Sequence, residues 1–292
     1  MDKWHLVEEI MIHGAKAQDL SGVHLSGSNL SGADLSNANL SIADLRYANL
    51  RNANLTGANL KDASLSGTDL RYTNLSGANL SGADLRYANF RSSFMDSSTN
   101  IDSKWYLVWK ILNQPTQRRD LKNADLSHGN LSGAYLIFAN LSGANLSGAN
   151  LNDADLSSAN CSDGNFSGAN LSNANLYSAD LSGANFSRAN LSDTSLNNAY
   201  LILTNLSNAY LINSKLRGAD LTGADLRYSN LSGAYLRNAK FSNADLRYAN
   251  FKGANVKKTQ FEYNKGISLE FRNNLIKHGA IFRERWGGSR ST

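Results

Sequence analysis

The sequence predicts an all-β solenoid with short helical caps and one helical insert. Three observations carry this. A Leu or Phe recurs every five residues from Leu20 through Phe90 to Met95, and again, one residue out of phase, from Leu121 to Phe261. Within each unit the residue two before the centre is usually Ala and the residue one before it is Asn or Asp, as in Ala33-Asp34-Leu35. Finally, the chain has one proline, Pro115, and only 18% charged residues, against about 5% and 25% in ordinary soluble domains. Both shortages suit a hydrogen-bonded coil with Ser, Asn and Gly at its outward corners.

The pentads number 16 in the first array and 29 in the second, about three quarters of 292 residues. Side chains of an extended segment alternate between faces, so the Ala and the central Leu point inward together. The two residues that follow, typically Ser-Gly or Ser-Asn, suit a type II turn, whose third position needs positive φ. Tyr72, Tyr87, Tyr228 and Tyr248 stand at that third position, so their corners are expected to adopt a type I or irregular turn. One five-residue piece cannot bury its own Leu; stacked coils can, at the ~4.8 Å strand spacing. The period alone does not say how many pentads close a coil.

Taken in order, residues 1–18 hold an N-terminal capping helix, Asp2 to His13, with Trp4, Val7, Ile10 and Met11 on one face and Gly14 as C-cap. Residues 19–95 are the first array. The pattern lapses over 96–118, where Trp105, Val108, Trp109 and Leu112 mark an amphipathic helix ending before Pro115. It either lies along one rod or separates two; Tyr135, Ile137 and Phe138, outward-facing just after it, are its expected dock. The second array fills 119–265. Residues 266–292 form a C-terminal capping helix and tail, with Ser268 as N-cap, the helix running through His278, and Gly279 as its stop. Capping covers coil ends that would otherwise associate edge to edge.

The run SGADLSNANLSIADLRYANLRNANL resembles the pentapeptide-repeat family, and the resemblance covers both arrays. The segments NIDSKWYLVWKILNQ and NKGISLEFRNNLIKHGAIF are similar to those flanking such arrays in cyanobacterial members. The resemblance implies a right-handed quadrilateral β-helix with four pentads per coil. It also implies two kinds of role: regulation through protein binding, as in a cyanobacterial regulator of heterocyst differentiation, or mimicry of duplex DNA towards DNA gyrase. With 20 residues per coil, Asn39, Asn59 and Asn79 form one column, Asn130, Asn150, Asn170 and Asn190 another, and Asn145, Asn165, Asn185 and Asn205 a third, as amide ladders.

Catalytic signatures are missing, and no enzyme activity, cofactor or metal is expected. The five histidines are scattered, and Cys161 occupies an inward centre, where a thiol is buried and inert. No apolar run approaches the ~18 residues of a membrane span, and Glu8 and Glu9 stand where a signal peptide would be apolar. A soluble, cytoplasmic protein is expected. The net charge of +5 resolves along the chain: 12 basic and 12 acidic groups over 1–120, 2 and 6 over 121–210, 15 and 6 over 211–292.

Function is therefore sought where the outward code breaks. Arg-Tyr replaces Ser-Gly at Arg46-Tyr47, Arg71-Tyr72, Arg86-Tyr87, Arg227-Tyr228 and Arg247-Tyr248, the last two stacked, with Arg188 one coil further removed. A second basic face carries Lys215, Arg217, Arg237, Lys257 and Lys258 with Tyr235. An apolar group, Tyr200, Ile202, Leu203, Tyr210 and Ile212, splits into two patches on opposite faces. The expectation is a non-enzymatic scaffold that binds an unidentified protein partner through flat faces. The alternatives are a gyrase-modulating DNA mimic, which the basic end opposes, and nucleic-acid binding by that end, which is not favoured. A homodimer through a terminal helix stays open.

Overall fold

A computed structural model describes residues 2–283. Parallel bridges join residues 20 apart throughout the arrays, such as Asn39 to Asn59 and Asn59 to Asn79, or Asn165 to Asn185 and Asn185 to Asn205. Each coil is therefore four pentads, and successive coils meet through one bridge per face. The contacts divide the chain into two compact units, Met1–Pro115 with Leu126–Leu131, and Thr116–Asp125 with Ser132–Thr292.

One pentad explains the repeat. Asn49 N–H donates to Ser28 O one coil back at 2.8 Å, Leu50 N–H to Asp69 O one coil forward at 2.9 Å, and Asn52 N–H to Arg71 O at 3.0 Å. Ala53 N–H closes the turn on Leu50 O at 3.0 Å. The remaining amide, of Arg51, donates to the Asn49 side-chain Oδ1 at 3.1 Å. All five donors are satisfied, which a buried-edge coil requires. Asn or Asp before the centre is thus structural, because its oxygen accepts the one N–H that the neighbouring coils leave over. The same oxygens accept from the next Asn Nδ2, building the expected ladders: Asn59 to Asn39 at 3.0 Å, Asn190 to Asn170 at 3.2 Å, Asn205 to Asn185 at 3.2 Å.

The interior is uniform. The central Leu residues from Leu25 to Leu85 and from Leu126 to Leu236 are fully buried, as is Cys161, whose thiol burial pushes well above its ordinary pKa. Phe centres stack along the axis, Phe166 on Phe186 at 4.5 Å and Phe241 on Phe261 at 5.2 Å. Gly164 stands where Ala is the rule, and a Cβ there would lie 2.8 Å from the Phe166 ring as that ring is placed.

The turn expectation for tyrosine is corrected. Tyr47, Tyr72, Tyr87, Tyr228 and Tyr248 all have φ between 57° and 63°, positive as at the glycine-bearing corners. Both flanks are clamped: Tyr47 N–H donates to Ser66 O, and Ala48 N–H to Leu45 O. Inter-coil bonding imposes one corner geometry, and the ~1–2 kcal/mol local preference of a non-glycine residue against left-handed φ does not overturn it.

Helix α1 (Lys3–His13) ends on Gly14, whose N–H donates to Ile10 O. Only Ile10 is buried; Trp4 and Met11, expected on the packed face, are exposed. Helix α2 (Ser103–Asn113) buries Trp105, Val108 and Trp109 as expected, but Ile111 in place of half-buried Leu112, because its contact face turns towards i+3 of Val108. It seats on the last first-array pentads. Trp109 Nε1 donates to Ser93 O at 3.2 Å, Asn113 Nδ2 to Phe90 O at 3.1 Å, and Val108 fills the space that a Cβ on Gly129 would contest. The expected dock for this helix is corrected as well: Gln117 Nε2 bonds Tyr135 Oη at 2.9 Å and the Arg118 guanidinium lies over Phe138, so the connector, not the helix, engages them. At the other end the strand β1 (Gln260–Phe261) is followed by α3 (Leu269–Lys277), capped by the Ser268 hydroxyl, and β2 (Ile281–Phe282) pairs parallel to β1. Phe271 and Phe282 cover Phe251 and Phe261. The expected tail beyond Arg283, including Glu284, lies outside the described residues.

Candidate interaction faces

Four pentads per coil give the second unit four faces and four corners. The face led by Asn185, Asn205, Asp225 and Asp245 carries an unbroken run of parallel bridges, and the corner that follows it holds Arg227-Tyr228 and Arg247-Tyr248. Tyr200 and Lys240 share a second face, with Ile202 and Leu203 at its corner. Tyr210 stands on the opposite face, with Ile212 beyond it, so the two apolar patches are separate, as the spacing predicts. Lys215 and Tyr235 share the fourth face, and its corner carries Arg217, Arg237 and Lys257 on successive coils. The sequence-predicted candidates therefore form four small groups and no single site.

The Arg-Tyr corners are internally compensated. Each arginine folds back on the Asp two residues earlier through Nε and a terminal nitrogen: Arg227 on Asp225 at 2.8 and 2.6 Å, Arg247 on Asp245 at 2.9 and 2.6 Å. Arg46, Arg71 and Arg86 do the same with Asp44, Asp69 and Asp84. These arginine hydrogen bonds, before any other cause, hold Asp225 and Asp245 below the usual carboxylate range. The tyrosine rings are left outward; Tyr228 and Tyr248 stack at 4.8 Å with planes 9° apart. A bidentate fork fixes the arginine stem, and the pair presents stacked rings over a neutral ion pair.

The other groups break the ladder itself. A Tyr or Lys before the centre has no oxygen suitably placed for the next amide but one. Among the described residues Ile202, Ile212 and Arg237 donate their N–H to no protein acceptor, whereas Arg217 N–H is rescued by Asn197 Oδ1 of the previous coil at 3.0 Å. Leu203 adds a second cost: it is 71% exposed with φ 57°, and its Cδ2 occupies the space over Gly223. Single-residue inspection passes over Ser195 and Asn197; the missing acceptors, read at 20-residue intervals, would have found them.

No group of His, Cys, Asp or Glu among the described residues could hold a metal ion, and no helix there is long and apolar enough to cross a membrane. Comparisons with known proteins agree with the repeat. The chain matches the pentapeptide-repeats family repeatedly, over residues 19–57, 58–96, 120–153, 154–193, 189–227, 204–243 and 224–262. Among solved structures it is similar to HetL, a pentapeptide-repeat protein involved in heterocyst differentiation regulation from the cyanobacterium Nostoc, at 30% identity over 89% of this chain and 96% of that one, with a TM-score of 0.29. It is also similar to Rfr23 from the cyanobacterium Cyanothece, at 39% identity over 31% and 63% of the two chains, TM-score 0.31. QnrB1, a plasmid-mediated fluoroquinolone resistance protein, shares 16% identity over 89% and 98%, TM-score 0.33. No curated protein matches the chain in sequence. With a repeating match over more than half of its length, the chain belongs to the pentapeptide-repeat family.

Proposed function

We propose that this protein is a non-enzymatic, regulatory interaction scaffold of the cytoplasm: a right-handed quadrilateral β-helix that binds a protein partner through its flat faces. The observation that carries the reading is where sequence variety sits. The interior repeats one solution, while Tyr200, Leu203, Tyr210, Tyr235 and Tyr248 are all more than half exposed at positions where Asn, Ser or Gly serve the fold better. Exposed apolar and aromatic groups of this kind mark interaction surfaces. HetL's regulatory role supports the reading by family kinship alone. The DNA-mimic alternative asks for a uniformly negative rod, and residues 211–292 carry 15 basic against 6 acidic groups.

Capture from a lysate of the native cell tests it, using the full chain and variants in which Tyr200/Ile202/Leu203, Tyr210/Ile212, Arg227/Arg247 or Arg217/Arg237 are replaced separately. A partner retained by the parent and lost from one variant is expected. Identical retention by all, or none beyond the bare support, would overturn the scaffold reading.

A further inference from the structure

The face led by Asp155, Asn175, Ser195, Lys215, Tyr235 and Asn255 changes character along its length. Beyond Tyr135, which bridges to Asp155, two coils keep the ladder: Asn175 Nδ2 donates to Asp155 Oδ1 at 3.1 Å, and Tyr177 N–H to Asn175 Oδ1 at 3.2 Å. Over the next three coils Ser195, Lys215 and Tyr235 abandon it. In their place five cations, Lys215, Arg217, Arg237, Lys257 and Lys258, rise on three successive coils ~4.8 Å apart, all exposed. From residue 212 to 218, 232 to 238 and 252 to 258 this face and its corners hold no carboxylate. Of the carboxylates at its margins, Asp220 pairs with Lys240 at 3.5 Å, Asp225 with Arg227 and Asp245 with Arg247, while Asp193 stands on the coil before Lys215. Like charges directly opposite across a sheet repel. Asn255 still accepts Lys257 N–H at 3.2 Å, but the coils of Lys215 and Tyr235 have lost their own Asn acceptor, and a column that stacks exposed cations in this way is complementary to an anion.

We propose that this column binds an acidic segment of a protein partner, its carboxylates pairing with Arg217, Arg237, Lys257 and Lys258 while Tyr235 packs against the segment's apolar residues. The proposal rests on the scaffold reading and names its partner's chemistry. Tyr and Arg together at the centre of an exposed patch are the residues that dominate protein interfaces. A single nucleic-acid strand needs successive rings to stack on along its cationic track. Here the stacked pair Tyr228–Tyr248 stands at the diagonally opposite corner, over arginines whose charge is already taken, and the rings beside the five cations, Tyr235 and Tyr177, lie on separate coils, Tyr177 beside Arg217.

The test uses the full chain and three labelled probes, a glutamate-rich peptide, an oligothymidylate and a short DNA duplex, at about 0.15 M salt. R217Q/R237Q is expected to weaken peptide binding about tenfold or more, while R227Q/R247Q leaves it unchanged. Equal losses in both double variants, or tighter binding of either DNA probe than of the peptide, would overturn the proposal. Thermal melting supplies a second arm. R217Q/R237Q should melt at the same or a higher temperature, because it relieves repulsion, and a clear drop would mean that the column is satisfied internally. If the peptide fails to bind but capture from lysate succeeds, this face alone is wrong; if both fail, the scaffold reading falls with it.

Discussion

Within the second array, the pentads centred on Leu141 to Leu191 and those centred on Leu196 to Phe241 have the same interior and different exteriors. All eleven of the first set place Asn or Asp before the centre; six of the ten in the second do not, having Ser195, Tyr200, Tyr210, Lys215, Tyr235 and Lys240. The central residues are fully buried in both. The difference teaches that the outward code is not filler. Each Asn or Asp accepts an amide that the neighbouring backbone leaves over, so a departure forgoes a hydrogen bond worth about 0.5–1.5 kcal/mol unless a side chain of a neighbouring coil supplies one, as Asn197 does for Arg217. Departures accumulate only in the stretch where the cations and aromatics are displayed.

The comparison requires equal cores. Leu176→Ala and Leu216→Ala lie on the same face on either side of the change, and each should cost about 2–5 kcal/mol in denaturant unfolding. A markedly smaller loss at Leu216 would show that the second stretch is loosened inside as well as out. A finer probe exchanges the codes. Asn175→Ala removes the acceptor for Tyr177 N–H and should destabilise by about 0.5–1.5 kcal/mol, whereas Tyr235→Asn restores an acceptor and should stabilise by a similar amount. If Tyr235→Asn destabilises, the tyrosine belongs to the fold and not to its surface role.

Acid sharpens the contrast between the two arginine columns. Asp225 and Asp245 have depressed folded pKa values, so their contribution is complete above the unfolded carboxylate value near 3.9 and is lost as pH falls through the folded values. R227Q/R247Q weakens that depression and should move the acid-unfolding midpoint slightly upward. R217Q/R237Q has no paired carboxylate to release and should not raise it; an equal upward shift would contradict the assignment of compensated and uncompensated columns.

Much of the fold was legible because a five-residue period with Ala and Leu in fixed relation admits few geometries. The inward centres, the Gly14 and Ser268 caps and the tryptophan face of α2 all followed from local pattern, and the amide ladders from the coil length that the family resemblance implied. What escaped depended on the neighbouring coil. Tyr47 and Tyr228 take positive φ because hydrogen bonds 19 residues away demand it, against local preference. Trp4 and Met11 are exposed because α1 buries only Ile10 against the coil end. The candidate residues were visible as breaks, but their grouping by face was not, since the 20-residue coil came from family resemblance and not from the period.

The amino-acid sequence by itself determined the repeat unit, its inward and outward sides, and the concentration of basic charge beyond residue 210. Only the tertiary structure decided which charges are spent. Arg227 and Arg217 look alike in the chain, yet the first finds Asp225 two residues before it and the second finds Lys215. Their neighbours one coil away, Asp245 and Arg237, then either complete the compensation or add to the repulsion. Charge pairing is set by distance through space, and a coil brings residues 20 apart closer than many that are adjacent pentads in the chain.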